Sequence, residues 1–251
     1  MNLVIDQGNS ICKVAIYEGD IMVCNYAFPR LSLMDAKDII LEYPDLKRAI
    51  YSSVGGVDKY LIRLLKDYIP FTIAVDKDTP MPIRVNYDRS TLGSDRLAVA
   101  VAAFELTGGG REIFVIDSGT AITYERVSAD GVYLGGNISP GFQTRFKALH
   151  HFTSRLPLVE YSDVAEGYSP FGSNTREAIE SGVTRGLVYE IDGYIDDLRM
   201  THPDLVVYLT GGDSQYFECK IKNDITVVKD LVLLGLNRIL EYNYNHAQEN
   251  N

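Results

Sequence analysis

Two periods of apolar residues organise this chain. Continuous β-branched or apolar runs open at Leu3 and Phe114 and recur at 71–75 and 205–209, and 49–54 also reads as a strand. They predict strands buried on both faces. Residues 34–43 and 58–68 place apolar side chains at helical spacing, 94–106 form an Ala-rich helical run, and 142–149, 175–198 and 232–242 continue the helical pattern. Strands alternating with helices, together with hairpins, predict a mixed α/β class. Residues 246–251 read as a frayed end.

One strand pattern occurs twice. Leu3-Val4-Ile5-Asp6-Gln7-Gly8-Asn9-Ser10-Ile11 matches Phe114-Val115-Ile116-Asp117-Ser118-Gly119-Thr120-Ala121-Ile122. In each copy a strand ends in an Asp, a spacer and a Gly, and a second strand follows at 12–17 or 123–127. The Gly permits unusual backbone angles and close approach by a ligand. An offset of about 110 residues suits a duplicated domain rather than a solenoid repeat. The alternative is a chance likeness of two hairpins. Gly108-Gly109-Gly110 marks the boundary, dividing the chain into 1–110 and 111–251.

Charge narrows the function. The 251 residues carry a formal net charge of -10. A broad basic face for nucleic acid is therefore not expected, since such binding neutralises phosphates with cations. Any phosphate-binding charge must be local, or come from backbone N–H groups and metal ions. Three cysteines, Cys12, Cys24 and Cys219, fit neither a disulfide framework nor a zinc site. The start lacks a basic and apolar leader, and the apolar stretch at 97–104 is far shorter than the ~20 residues that span a bilayer. A cytoplasmic protein without membrane association is expected.

The chemistry gathers at Gly turns. At Asp6-Gln7-Gly8-Asn9-Ser10, with Lys13 beyond, a strand-end carboxylate beside a Gly turn suits phosphate and its Mg²⁺. An ordinary hairpin turn is the alternative. A second such turn, Asp117-Ser118-Gly119-Thr120-Ala121, favours a phosphate clamp made by two halves. Thr210-Gly211-Gly212-Asp213 is a third strand-end turn, suited to a nucleotide or simply to a strand-to-helix connection. In Leu92-Gly93-Ser94-Asp95-Arg96, Ser94 is expected to cap a helix with Asp95 and Arg96 in its first turn. Asp95 there either complements the helix dipole or faces a substrate hydroxyl, with Arg96 gripping an anionic substrate end. The segment 135–141, Gly-Gly-Asn-Ile-Ser-Pro-Gly, reads as a shaped loop, and Asn174 or Thr175 caps the long helix or meets a ligand.

Taken in order, these motifs resemble the type III pantothenate kinases. The set comprises the first Asp–Gly turn, Leu92 to Arg96, the second Asp–Gly turn, the 135–141 loop, Ser173-Asn174-Thr175-Arg176-Glu177-Ala178-Ile179 and Leu209-Thr210-Gly211-Gly212-Asp213, with an ending at Leu231-Val232-Leu233-Leu234-Gly235-Leu236. The likeness runs from Met1 to about Tyr242. It implies an actin-like ATPase fold of duplicated ribonuclease-H-like domains with a nucleotide cleft between them. It also implies ATP-dependent phosphorylation of pantothenate to 4'-phosphopantothenate, the first step towards coenzyme A. Carried over by position, Asp6, Gln7, Gly8, Asn9, Ser10, Ile11, Cys12 and Lys13 bind phosphate, and Thr120 contacts ATP. Asp95 is the general base, Gly93, Ser94, Asp95 and Arg96 bind substrate, Thr175 contacts it too, and Asp117 holds a monovalent cation, potassium or ammonium. The family resemblance further implies Mg²⁺ with ATP, and a homodimer whose pantothenate pocket borrows from the partner subunit. Such kinases usually carry a substrate-contacting Tyr before the Gly-x-Asp-Arg segment, with a Pro between. Here Tyr87 is the candidate, followed by Asp88-Arg89-Ser90-Thr91-Leu92 without Pro and one residue shorter. Two rivals remain: a non-catalytic accessory regulator of transcription on the same fold, or a kinase of another small hydroxy compound.

Overall fold

The computed structural model describes residues 1–160 and 170–249. Among these residues it contains eleven strands and seven helices, divided between two sheets. Two compact units form. The first comprises Met1–Gly109, Asp130–Gly135 and Asp230–Asn251, and the second Gly110–Ala129 and Gly136–Lys229.

The first unit is built on five strands in the order β3-β2-β1-β4-β5: β1 (Asn2–Gln7), β2 (Cys12–Glu18), β3 (Ile21–Phe28), β4 (Arg48–Ser53) and β5 (Phe71–Ala74). β1, β2 and β3 pair antiparallel, whereas β4 and β5 run parallel to β1. Parallel strands need crossovers, and these are α1 (Leu33–Glu42) and α2 (Lys59–Tyr68). Ser32 and Asp35 close a reciprocal capping box on α1, and Asp58 caps α2 through the amides of Tyr60 and Leu61. Leu3, Val4 and Ile5 are fully buried, as the unbroken apolar run predicts.

The first unit also holds α3 (Ser94–Thr107) and α7 (Leu231–Glu249). Residues 96–103 of α3 are all buried. Gly235 of α7 lies so close that a Cβ there would stand 1.8 Å from the Ala98 carbonyl oxygen. Asn2 Nδ2 donates to Asn237 Oδ1 at 2.8 Å, and Arg48 pairs with Glu241. The compact units therefore do not follow a single cut into 1–110 and 111–251, because the closing helix packs back on the N-terminal sheet. Of the end read as frayed, residues 246–249 are helical as part of α7, and 250–251 lie outside the described residues. The Gly108-Gly109-Gly110 punctuation has a conformational basis, with φ of 72°, 76° and 80°.

The second unit contains β7 (Ile113–Ser118), β8 (Ala121–Val127), β10 (Val206–Thr210) and β11 (Thr226–Val227). β9 (Val132–Pro140) begins in residues of the first unit, where β6 (Arg84–Val85) pairs with Val132 and Tyr133, and continues here beside β8. β7 pairs antiparallel with β8 and parallel with β10, repeating the arrangement of β1 with β2 and β4. The expected loop at 135–141 is thus mostly strand. Its Gly136 is needed because a Cβ would fall 1.7 Å from the Tyr124 carbonyl oxygen on the neighbouring strand. α4 (Phe142–His151), α5 (Thr175–Arg199) and α6 (Ser214–Glu218) complete the unit. Ile179, Val183, Leu187, Ile191 and Ile195 form one face of α5 and share a core with Phe114, Ile116 and Leu209.

Candidate active site

In the first unit, parallel register sets Asp6 at the end of β1 beside Ser52 of β4. Ser52 Oγ donates to Asp6 Oδ1 at 3.3 Å and lies 2.8 Å from Ser94 Oγ, at the opening of α3. Burial, then the nearby Asp95 charge, push the Asp6 carboxyl up to about 6, although Ser52 and Lys13 pull the other way. Residues far apart in sequence thus meet here, and Ser52, which motif reading passed over, joins them.

The turn after Asp6 is a four-residue connection. Gly8 N–H donates to the Ile11 carbonyl at 3.1 Å, and a Cβ on Gly8 would stand 3.0 Å from that oxygen. Gln7 Nε2 donates to the Gly8 carbonyl, while Asn9, Ser10 and Ile11 are exposed. Cys12 is buried, and burial followed by the Asp6 charge pushes its thiol up to about 11. Its contribution is packing beneath the turn. Lys13, expected at phosphate, pairs with Asp230 at 2.7 Å.

At α3, Gly93 occupies the cap position and no side chain caps the helix. Ser94 is therefore not the expected cap, because its hydroxyl is turned to Ser52. The Asp95 carboxylate folds over the helix start and accepts from the Arg96 amide at 2.8 Å. A Cβ on Gly93 would stand 2.4 Å from Asp95 Oδ1, so this glycine makes room for the carboxylate. Arg96 is only 7% exposed, and its guanidinium carbon lies 5.8 Å from the centroid of the Tyr87 ring. Tyr87, 40% exposed, is edge-on to Tyr133 at 5.9 Å. The shortened connection still brings Tyr87 to Arg96.

In the second unit, the connection from β7 to β8 is only Gly119 and Thr120. Two motifs read as separate loops brace it. The Thr120 carbonyl accepts from Gly141 N–H at 3.1 Å and Thr144 Oγ1 at 2.7 Å. A Cβ on Gly141 would lie 2.0 Å from the Gly119 carbonyl oxygen. Opposite, Gly211 has φ +93°, and a Cβ there would lie 2.3 Å from the Ser118 carbonyl oxygen and 2.5 Å from Asp117 Oδ1. Asp213 N–H donates to the Ser118 carbonyl at 3.1 Å, and burial pushes its carboxyl up to about 6. The Ser118 hydroxyl is fully buried without a hydrogen-bond partner. Arg145 holds Ser139 Oγ at 2.6 Å and Glu190 at 2.7 Å, fixing the end of β9. Asp213 closes the Thr210-Gly211-Gly212-Asp213 turn already singled out, whereas Arg145 and Glu190 carry no motif.

Thr175 is the exposed first residue of α5, in the second unit. Asn174, next to it, is the cap, accepting from Glu177 N–H at 3.1 Å.

Paired strand–turn–strand units in two sheets are the signature of the actin-like ATPase fold. A glucokinase from an Antarctic psychrotroph shares that fold at TM-score 0.53, with 12% identity over 96% of this chain and 98% of that chain. A conserved protein from Campylobacter jejuni, described as a Baf family transcriptional activator, matches at TM-score 0.61 and 25% identity over 97% of this chain and 99% of that one. The sequence profile of the type III pantothenate kinases matches residues 2–197. A type III pantothenate kinase of Porphyromonas gingivalis strain W83 is 48% identical over 242 residues, covering 96% of this chain and 98% of that protein. The chain belongs to the type III pantothenate kinase family.

Proposed function

We propose that this chain transfers the γ-phosphoryl group of ATP to the primary hydroxyl of pantothenate, giving 4'-phosphopantothenate and ADP. The observation that carries the reading is the meeting of Asp6, Ser52, Ser94 and Asp95, with Arg96 and Tyr87 on the same helix start and its approach. The pantothenate hydroxyl oxygen bonds to the γ-phosphorus as the bond to the bridging oxygen of ADP breaks, and Asp95 accepts the hydroxyl proton. Arg96 binds the substrate carboxylate, the Gly93–Ser94 backbone and Tyr87 orient the chain, and Thr175 is a further substrate contact. The loose transition state of phosphoryl transfer rewards such positioning over early proton removal.

The turn at 6–13 receives phosphate oxygens, and Thr120 contacts ATP. The carboxylates of Asp6 and Asp95 lie near enough for the Asp95 charge to push the Asp6 carboxyl up, and such a pair of oxygen ligands fits a hard cation. Mg²⁺ bound with ATP supplies charge neutralisation there. The Asp117 carboxylate and the unpartnered Ser118 hydroxyl offer oxygen ligands of the type potassium or ammonium takes. Among the described residues no helix is long and apolar enough to cross a membrane. We assign the enzyme to the cytoplasm as a homodimer, the first enzyme of coenzyme A synthesis.

Asp95→Asn tests the assignment. Turnover should fall by about 10²-fold or more, while ATP binding by calorimetry stays near that of the parent. Parent-like turnover in this variant removes Asp95 from the chemistry. A second reading, transcriptional activation, draws on the Campylobacter jejuni likeness. Purified protein that consumes no ATP with pantothenate in potassium buffer favours that reading.

A further inference from the structure

Arg89 lies between Tyr87 and the start of α3, in the connection that leaves β6. Its neighbours Asp88 and Ser90 are exposed, yet Arg89 is half-buried and turned inward. Its Nη2 donates to the Thr79 carbonyl at 2.7 Å and to the Asp76 carbonyl at 3.2 Å. That acceptor turn is itself braced. Asp76 Oδ1 accepts from Asp78 N–H and from Thr79 Oγ1, each at 2.9 Å, and Thr79 Oγ1 accepts from Asp76 N–H at 2.9 Å. On the other side, Asp88 Oδ1 accepts from the Ser90 amide at 2.9 Å and from its hydroxyl at 2.7 Å, and Thr91 N–H donates to the Asp88 carbonyl. Arg89 therefore fastens one locally closed turn to another with charge-assisted hydrogen bonds.

What leaves this anchor in both directions is substrate-facing. One step back is the residue pair 87–88, with the Tyr87 ring against Arg96 and Tyr133. A few steps on are Gly93, Ser94 and Asp95. Arg89, Asp76, Gly93 and Ser94 line a single cavity of about 430 Å³. Asp88, Ser90 and Thr91 of this connection are exposed and it contains no proline, so its short local hydrogen bonds and the Arg89 tie are what hold it.

We propose that Arg89 is a positioning residue: by tying the 88–92 connection to the 76–79 turn it sets where the Tyr87 ring stands against Arg96, and so tunes recognition of the acidic hydroxy substrate. The proposal rests on the reading of Tyr87 and Arg96 as substrate groups. It assigns Arg89 no contact with substrate.

The test uses the full chain carrying Arg89→Ala and Arg89→Lys, with hydrogen exchange of the unliganded protein and steady-state kinetics side by side. Arg89→Ala should speed exchange at the Ser90 and Thr91 amides while β1 and α3 keep their protection. It should raise KM for pantothenate roughly tenfold, with kcat and KM for ATP within about twofold of the parent. Arg89→Lys, which keeps a cationic donor but not the planar fork, should fall between. Unchanged exchange at 88–92, or KM for ATP rising as far as that for pantothenate, overturns the proposal. If Arg89→Ala does not fold, Arg89→Lys carries the same comparison. The exchange result needs no substrate, so a parent protein without pantothenate turnover counts against the functional reading and leaves the anchor to be judged on its own.

Discussion

Asp6 shows how one carboxylate links folding to chemistry. Burial and the Asp95 charge raise its carboxyl from 3.8 to about 6. Between those values the folded chain still holds a proton that the unfolded chain has lost, so stability of the unliganded protein falls as pH rises through that window. The loss is complete above about pH 6 and absent below the unfolded value. Asp213, raised to about 6 by burial, adds in the same direction. Asp6→Asn keeps the shape and removes the charge. It should stabilise the unliganded protein by ~1–3 kcal/mol near pH 7.5 and leave it almost unchanged near pH 4, while ATP turnover drops. Thermal melts at the two pH values check this, and equal melting of both proteins near pH 7.5 refutes the desolvation of Asp6. Asp6 and Asp95 stood out as residue types beside a Gly turn and at a helix start. Their proximity did not, because Ser52, which links Asp6 to Ser94, belongs to no motif.

At the scale of elements, glycines that look alike in sequence do different work. Gly211 and Gly141 each abut the 117–120 turn, where a Cβ would meet carbonyl oxygens at 2.3 Å and 2.0 Å, whereas a Cβ on Gly212 would meet nothing within 4 Å. Gly141→Ala and Gly211→Ala should each cost about 2 kcal/mol or more and depress turnover by displacing the turn, and Gly212→Ala should be nearly neutral. Melting temperatures and ATP consumption for the three variants separate these outcomes; a harmless Gly211→Ala contradicts the bracing role. The strongly periodic elements were legible: the strands opening at Leu3 and Phe114, the helices α1, α2, α3 and α5. β3 was not, although Asn25 is its only polar residue: it lies at a sheet edge with alternate residues exposed. β9 was misread because Gly135 and Gly136 punctuate it. Gly135 has φ +105° and Gly136 admits the neighbouring strand, so both belong to packing rather than to a loop.

For the whole molecule, the duplicated Asp–Gly hairpins announce a phosphate-handling fold, and both form, each flanked by a parallel strand. The return of α7 to the N-terminal sheet was hidden. Periodicity shows that a helix has an apolar face, but not which distant surface that face meets; here Gly235 and the Asn2–Asn237 contact decide it. The substrate was legible only through the ordered motif set, since no single turn distinguishes pantothenate from another hydroxy compound. Family membership supports the same substrate. The most direct test is incubation of the purified protein with pantothenate, ATP and Mg²⁺ in potassium and in sodium buffer, with the products identified by mass. The account predicts 4'-phosphopantothenate formed in step with ADP, and faster in potassium. ADP without phosphopantothenate, or no turnover in either buffer, contradicts it.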